Sequence, residues 1–317
     1  MIPTIRLDDI VARAPGTLDT IHAATREVGL FYVDGLDPDL RTELFDVSRR
    51  FFALPAADKQ ALSIANSANY RGYVGVGEES TNGTADLKES FEFGRDAEAP
   101  ASDNPPPYYQ MYGGNQWPSL PGFRAALDAY SAYQARVGTA VIEALAATLG
   151  QPPVLGTPSS PFGSELCSFA RVIYYANPAG YAREEARLAA HTDSGMVTVS
   201  LQDTPGLEVL TTAGEWLEVL PPAGCCVAFT GELLELWSSG YYRACVHRVH
   251  NQALRGDRIS LITFFIPDLR SVLTPLTSAD HDRLAAASVP RGNSWLGSES
   301  GPFVVGEREW ERVGEIF

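Results

Sequence analysis

The chain has 317 residues, of which 45% are hydrophobic and 20% charged, and it carries a formal net charge of −15. That length builds one large core, the acidic balance excludes the basic face that nucleic acids need, and no run of about eighteen apolar residues offers a membrane span. The opening Met1-Ile2-Pro3-Thr4-Ile5-Arg6 has no apolar signal core, and the four cysteines (167, 225, 226 and 245) lack metal-type spacing, so reduced thiols in a cytoplasm are expected.

Residues 3–7 form a short β-prone entry. Residues 17–28 place Leu18, Ile21, Thr25 and Val28 at helical spacing, with Gly29 as the stop. Gly29-Leu30-Phe31-Tyr32-Val33 has strand composition. Asp37-Pro38 then opens a helix with a cap and a proline in its first position, and Leu40, Leu44, Val47 and Phe51 make its apolar face. Residues 95–118, with Pro100, Pro105, Pro106, Pro107 and Pro118, are expected as a long loop. The longest helical pattern covers residues 119–149, with Phe123, Leu127, Tyr130, Val137, Val141 and Leu145 on one face. It predicts a spine helix against which a β core packs.

From Leu166 onward, short β runs punctuated by Gly and Pro predict an antiparallel double sheet, a jelly roll. Adjacent Cys225 and Cys226 face opposite sides of one strand. Residues 251–256 are expected as a hairpin loop setting the His247 and Arg258 runs side by side. Residues 279–287 and 307–316 have helical character. The fold class expected is α+β, mainly β. It is one domain: an N-terminal region (1–118), the spine (119–150), a jelly-roll core with the functional site (166–268) and a C-terminal segment (269–317).

The chemistry concentrates in Ala190-His191-Thr192-Asp193-Ser194-Gly195, answered by Cys245-Val246-His247-Arg248-Val249. In an extended chain His191 and Asp193 project together. Two imidazoles and one carboxylate, with coordination positions left open, make the ligand set of non-heme Fe(II) oxygenases. Arg258 and Ser260 also share a strand face, and a guanidinium beside a hydroxyl is a fork for a carboxylate. His22, His250 and His281 lie outside this pattern and are assigned structural or solvated roles.

These motifs, with Gly231-Glu232-Leu233-Leu234, Arg258-Ile259-Ser260 and Thr263-Phe264-Phe265, resemble the isopenicillin N synthase-like Fe(II)/2-oxoglutarate-dependent oxygenases, and the likeness covers nearly the whole chain. The resemblance implies Fe(II) on His191, Asp193 and His247, with 2-oxoglutarate and O2 as co-substrates. The far carboxylate of 2-oxoglutarate would sit on Arg258 and Ser260. Tyr175 matches a co-substrate tyrosine, whereas Ile173 stands where many members have an Asn, which leaves that contact open. Tyr70 and Arg71 match a segment on the substrate side, with Arg71 as an anion anchor and Phe91 and Phe93 as pocket walls. The C-terminal segment covers the active-site mouth in some members; a packed surface helix is the expectation here.

The implied reaction is hydroxylation, desaturation or oxidative cyclisation of a small polar natural product or amino-acid-type compound, with release of succinate and CO2. Asp193 argues against halogenation, because halogenases of this chemistry lack that carboxylate. The acidic balance steers a cationic substrate, although plain solubility charge explains it as well. Alternatives are an oxidase without 2-oxoglutarate, whose Arg258 and Ser260 hold a substrate carboxylate, and a non-catalytic metal-binding module. A zinc hydrolase would need a general base beside the metal water, and no Glu or Asp flanks the motif in sequence.

Overall fold

The computed structural model describes residues 2–182, 186–251, 254, 256–277, 279–280 and 301–316. β1 (Thr4–Arg6) leads into α1 (Leu7–Val11), and α2 (Thr17–Glu27) ends before Gly29, whose φ of +86° turns the chain into β2 (Leu30–Asp34). The Asp37 carboxylate accepts from the amides of Asp39 (2.8 Å) and Leu40 (3.3 Å), so α3 (Pro38–Phe52) starts where its cap dictates. After α4 (Ala56–Gln60) come β3 (Gly72–Val74), a small hairpin of β4 (Ser80–Thr81) and β5 (Thr84–Ala85), and β6 (Glu89–Gly94). The Pro-rich stretch that follows contains one 3-10 turn, Pro107–Met111, with Tyr108 and Met111 buried.

The spine is α5 (Phe123–Thr148), and all six residues predicted for its inner face are buried. α1, α2 and α3 pack on it. Gly138 matters here: a methyl group in its place would meet the Phe265 ring at 2.7 Å, so the glycine lets the helix lie close on the sheet. The core strands are β7 (Cys167–Tyr175), β8 (Ala186–His191), β9 (Val197–Gln202), β10 (Leu207–Leu210), β11 (Trp216–Glu218) and β12 (Cys225–Thr230). α6 (Glu232–Trp237) precedes β13 (His247–His250) and β14 (Arg258–Ile266). The short pair β15 (Val272–Leu273) and β16 (Phe303–Val304) leads to α7 (Val305–Ile316).

The larger sheet has the order β1-β2-β12-β9-β14-β7-β6-β3, and the smaller β11-β10-β13-β8. The two sheets make the jelly roll, and the N-terminal strands extend the larger one at both ends. Within the larger sheet the period of two sorts side chains cleanly. Val172, Val199, Ala228, Leu261 and Phe265 face the helices and join the main core, whereas Ile173, Tyr175, Val227 and Phe229 face the smaller sheet in two further clusters. Cys226 and Cys225 divide the same way, one to each side, and all four cysteines are free.

Two expectations fail here. The Arg258 strand does not form a hairpin with the His247 strand: β13 pairs with β8 and β10, whereas β14 pairs with β7 and β9 in the other sheet. β13 and β14 thus lie in different sheets, and the two motifs face each other across the interior. Phe91 and Phe93 do not wall a pocket. They sit on the helix side of β6, 0% and 1% exposed, packed with Phe51, Trp117 and Phe123, while Ser90 and Glu92 take the inner face. Phe91→Ala is accordingly expected to lower stability by about 3–5 kcal/mol, read by denaturant unfolding, with turnover per folded molecule retained. Normal stability with lost turnover would return Phe91 to the pocket. The predicted helix at 279–287 and His281 lie outside the described residues, apart from Ala279 and Asp280, which form a turn.

Candidate metal and co-substrate site

β8 stops at His191, and the chain then turns across from the smaller sheet to the larger one, so Asp193 sits on the crossover rather than in a strand. The start of α6 fixes this turn. The Glu232 amide donates to Asp193 O (2.8 Å), the Leu233 amide to Ser194 O (3.0 Å) and the Gly231 amide to Met196 O (3.1 Å). His247 opens β13 directly opposite His191 in the ladder, which places the two rings 4.3 Å apart by centroid.

The imidazoles are oriented alike. Nδ1 of His191 bonds the Ala189 carbonyl (2.8 Å) and Nδ1 of His247 the Cys245 carbonyl (3.0 Å). A backbone carbonyl accepts only from an N–H, so each ring turns a protonated Nδ1 to the chain and directs its Nε2 toward Asp193. Those Nε2 atoms lie 3.5 and 3.6 Å from Oδ1 of Asp193. The other carboxylate oxygen, Oδ2, accepts from the Thr198 hydroxyl at 2.6 Å. Two imidazole nitrogens and one carboxylate oxygen therefore converge on one point, a set of ligand atoms that could hold a metal ion. A metal held at roughly 2.1 Å from each donor fits after a small contraction, and among the described residues this is the one His/Cys/Asp/Glu group close enough to hold one. Burial alone would raise the Asp193 carboxyl, but His247, His191 and Thr198 outweigh it and hold it below the ordinary carboxylate range. Burial pushes His247 down to about 4, against the pull of Asp193, which keeps the ring neutral and available as a ligand.

Thr198 was not singled out from the sequence, five residues past Asp193 in a strand that reads Val-Thr-Val-Ser-Leu-Gln. Thr198→Val is expected to weaken metal binding by about 10–100-fold, measured by metal titration of the stripped protein. Unchanged affinity would show that the Thr198 hydroxyl does not hold the ligand.

The three residues open on a cavity of about 370 Å³ lined from both sheets and from α7. Arg258, 2% exposed, lines the same cavity. Its guanidinium donates to Ser260 Oγ (3.1 Å) and to Gln202 Oε1 (2.8 Å), its Nε has no acceptor, and no carboxylate of the described residues pairs with it. Gly206 makes space for it, since a Cβ there would come within 3.0 Å of Arg258 Cδ. Tyr175 stands opposite Arg258 in the ladder, with the guanidinium 5.3 Å from its ring centre, and burial pushes its phenol up to about 12. Ile173 also lines the cavity, adding apolar surface where the family pattern has a polar contact.

Tyr70 and Arg71 do reach the cavity. Tyr70 has a left-handed backbone, φ +58°, and its ring meets Trp310 of α7 edge-on at 5.9 Å. Arg71 is 4% exposed, donates to Phe93 O (3.1 Å), lies over the Phe169 ring and is pushed down to about 10 by burial. Composition and spacing did not single out a buried charge network on the same wall. Lys88 pairs with Glu79 and, at 3.7 Å, with Asp86, while Arg171 pairs with Glu92 (3.1 Å) and Glu79 (3.7 Å).

The C-terminal segment is more than a packed surface helix, because Glu309, Arg312 and Val313 of α7 line the cavity. Acidic groups also stand beside the metal turn, contrary to the expectation from the flanking sequence. Glu232 accepts from the Thr192 hydroxyl and pairs with Arg312 (3.5 Å), and Glu309 accepts from Ser194 (2.8 Å). Both acids come from distant parts of the chain. His22 is structural, bonded to Tyr242 (2.9 Å) and Tyr241 (3.3 Å), and His250 is not part of the lining.

Known proteins resemble this chain in sequence and in fold. Residues 2–120 match the N-terminal family described as non-haem dioxygenase in morphine synthesis, and residues 167–267 match the 2OG-Fe(II) oxygenase superfamily. A 2-oxoglutarate-dependent dioxygenase of Monascus ruber is 32% identical over 274 residues, 82% of this chain and 81% of that one. The chain belongs to the 2OG-Fe(II) oxygenase superfamily. A homoarginine-6-hydroxylase of Oryza sativa subsp. japonica is 30% identical over 262 residues, covering 80% of this chain and 78% of the other. A solved 2OG-Fe(II) oxygenase family protein from Caulobacter crescentus superposes with TM-score 0.78 at 24% identity, over 99% of this chain and 98% of its own. A Neurospora crassa protein solved with alpha-KG and thymine gives 0.76 at 22%, over 99% and 96%. This oxygenase therefore uses ferrous iron, with 2-oxoglutarate and O2 as co-substrates, and acts on a small molecule.

Proposed function

We propose that this oxygenase oxidises a small polar compound of amino-acid or natural-product type, with His191, Asp193 and His247 holding the iron and Arg258 and Ser260 gripping the far carboxylate of 2-oxoglutarate. The observation that carries the reading is Arg258: a buried guanidinium with no carboxylate partner among the described residues, opening on the same cavity as the three converging metal donors. Burying such a charge is costly until an anion joins it. Bound iron and 2-oxoglutarate supply the oxidation, in which the co-substrate becomes succinate and CO2 as O2 is consumed. The chain's own share is placement. The ladder sets the two imidazoles, Thr198 orients Asp193, Tyr175 flanks the co-substrate end, and Tyr70 and Arg71 contribute to the substrate wall.

A substrate with a cationic nitrogen suits the net charge of −15 and parallels the homoarginine named for several relatives. A role in antibiotic or similar biosynthesis, and a cytoplasmic location, belong to the same reading; free cysteines suit a reducing compartment. The test is turnover with Fe(II) and 2-oxoglutarate against a compound panel, counting succinate against oxidised product. One succinate per product is expected. Product without succinate would assign Arg258 and Ser260 to a substrate carboxylate instead, and no oxygen consumption with any compound would leave a metal-binding module.

A further inference from the structure

We propose that Glu309, on α7, is a specificity-determining residue that accepts hydrogen bonds from a cationic nitrogen of the substrate, a guanidinium or an ammonium. The inference rests on the oxygenase reading above and names the substrate class of that same site. Glu309 is 6% exposed and lines the cavity. Its Oε2 accepts from the Ser194 hydroxyl at 2.8 Å, whereas its Oε1 is buried with no donor among the described residues. Two cations neighbour it on the helix, Arg308 and Arg312, and Arg312 forms its ion pair with Glu232. Burial has pushed the Glu309 carboxyl up to about 7, against the Ser194 bond and the pull of Arg312 and Arg308.

The lining of the same cavity repeats the shortage. Glu79 Oε1 and Asp86 Oδ1 are also buried without a donor, and in that network three carboxylates, Glu79, Asp86 and Glu92, share two cations, Lys88 and Arg171. Three acceptor oxygens in that lining suit the N–H groups of a ligand, while Nε of Arg71 and of Arg258, buried in the same lining without an acceptor, suit anionic groups. A guanidinium carries five such donors and an ammonium three; a carboxylate or carbonyl carries none. Ser194 adjoins Asp193, so a nitrogen held by Glu309 brings the substrate against the turn that carries the metal ligands.

The test uses the full chain with Mn(II) in place of iron and with 2-oxoglutarate bound, under argon so that nothing turns over. Binding of 2-oxoglutarate is measured first, and its absence counts against the oxygenase reading rather than against Glu309. Calorimetry then compares L-homoarginine with L-homocitrulline, which replaces one guanidinium nitrogen by oxygen, and L-lysine with L-norleucine. In at least one pair the cation is expected to bind roughly ten- to a hundredfold tighter, and Glu309→Gln is expected to erase that ratio at an unchanged melting temperature. If the variant fails to fold, the wild-type ratios decide. Equal binding within both pairs, no binding by either cation, or a ratio that survives in a folded Glu309→Gln overturns the proposal.

Discussion

Asp193→Ala is expected to abolish turnover and to leave the protein folded. The carboxylate is the single anionic donor of the site, and its Oδ1 sits 3.5 and 3.6 Å from the two Nε2 atoms. Without it, two neutral imidazoles remain, and a divalent ion loses both a ligand and the charge that offsets its own. The fold is expected to tolerate the change for a specific reason. The turn that carries Asp193 is held by the backbone amides of Gly231, Glu232 and Leu233, so the change costs the Thr198 bond and the attraction of the two imidazoles but leaves the path of the chain in place. Metal analysis and thermal unfolding of stripped protein read the two effects separately. Wild-type protein should gain stability when metal is added, by linkage to the native state alone, and the variant should gain almost none. Turnover surviving in Asp193→Ala, or in wild type stripped of iron, would remove the metal from the reaction.

What the sequence made legible here was local. The helix cap at Asp37, the inner face of α5 and the shared face of Arg258 and Ser260 follow from residue types and spacing within one element, and each stands where those rules put it. The pairing of His191 with His247 was legible as a ligand set, because few other uses exist for two imidazoles and a carboxylate in β-rich surroundings. Lost were the facts that depend on which sheet a strand joins. A period of two says that Phe91 and Phe93 share a face, but β6 is buried on both sides, so the pattern alone does not say which face meets the helices. The same gap produced the hairpin error, since β13 and β14 are close in sequence and belong to opposite sheets. Thr198, Glu232 and Glu309 reach the site through folding of the turn and of α7 across it, with no spacing signal at all.

Arg258→Met separates the two roles open to that guanidinium. Methionine fills similar space along the stem and removes the charge, and Gly206 leaves the pocket wall unstrained. Truncating one partner of a buried, hydrogen-bonded charge pair costs about 2–5 kcal/mol, so the KM for 2-oxoglutarate is expected to rise on the order of 10²–10³-fold. In the absence of 2-oxoglutarate the sign reverses. There the wild-type chain carries a buried cation satisfied only by Ser260 and Gln202, and its burial already lowers its basicity. Replacing such a charge by an apolar side chain is neutral or stabilising, so the variant should melt at or above the wild-type temperature, while added 2-oxoglutarate should raise the melting point of wild type alone. If Arg258 held a substrate carboxylate instead, the variant would keep its response to 2-oxoglutarate and lose affinity for substrate. A single thermal-shift series with each ligand distinguishes these outcomes, because the loss then follows whichever molecule brings the anion to Arg258.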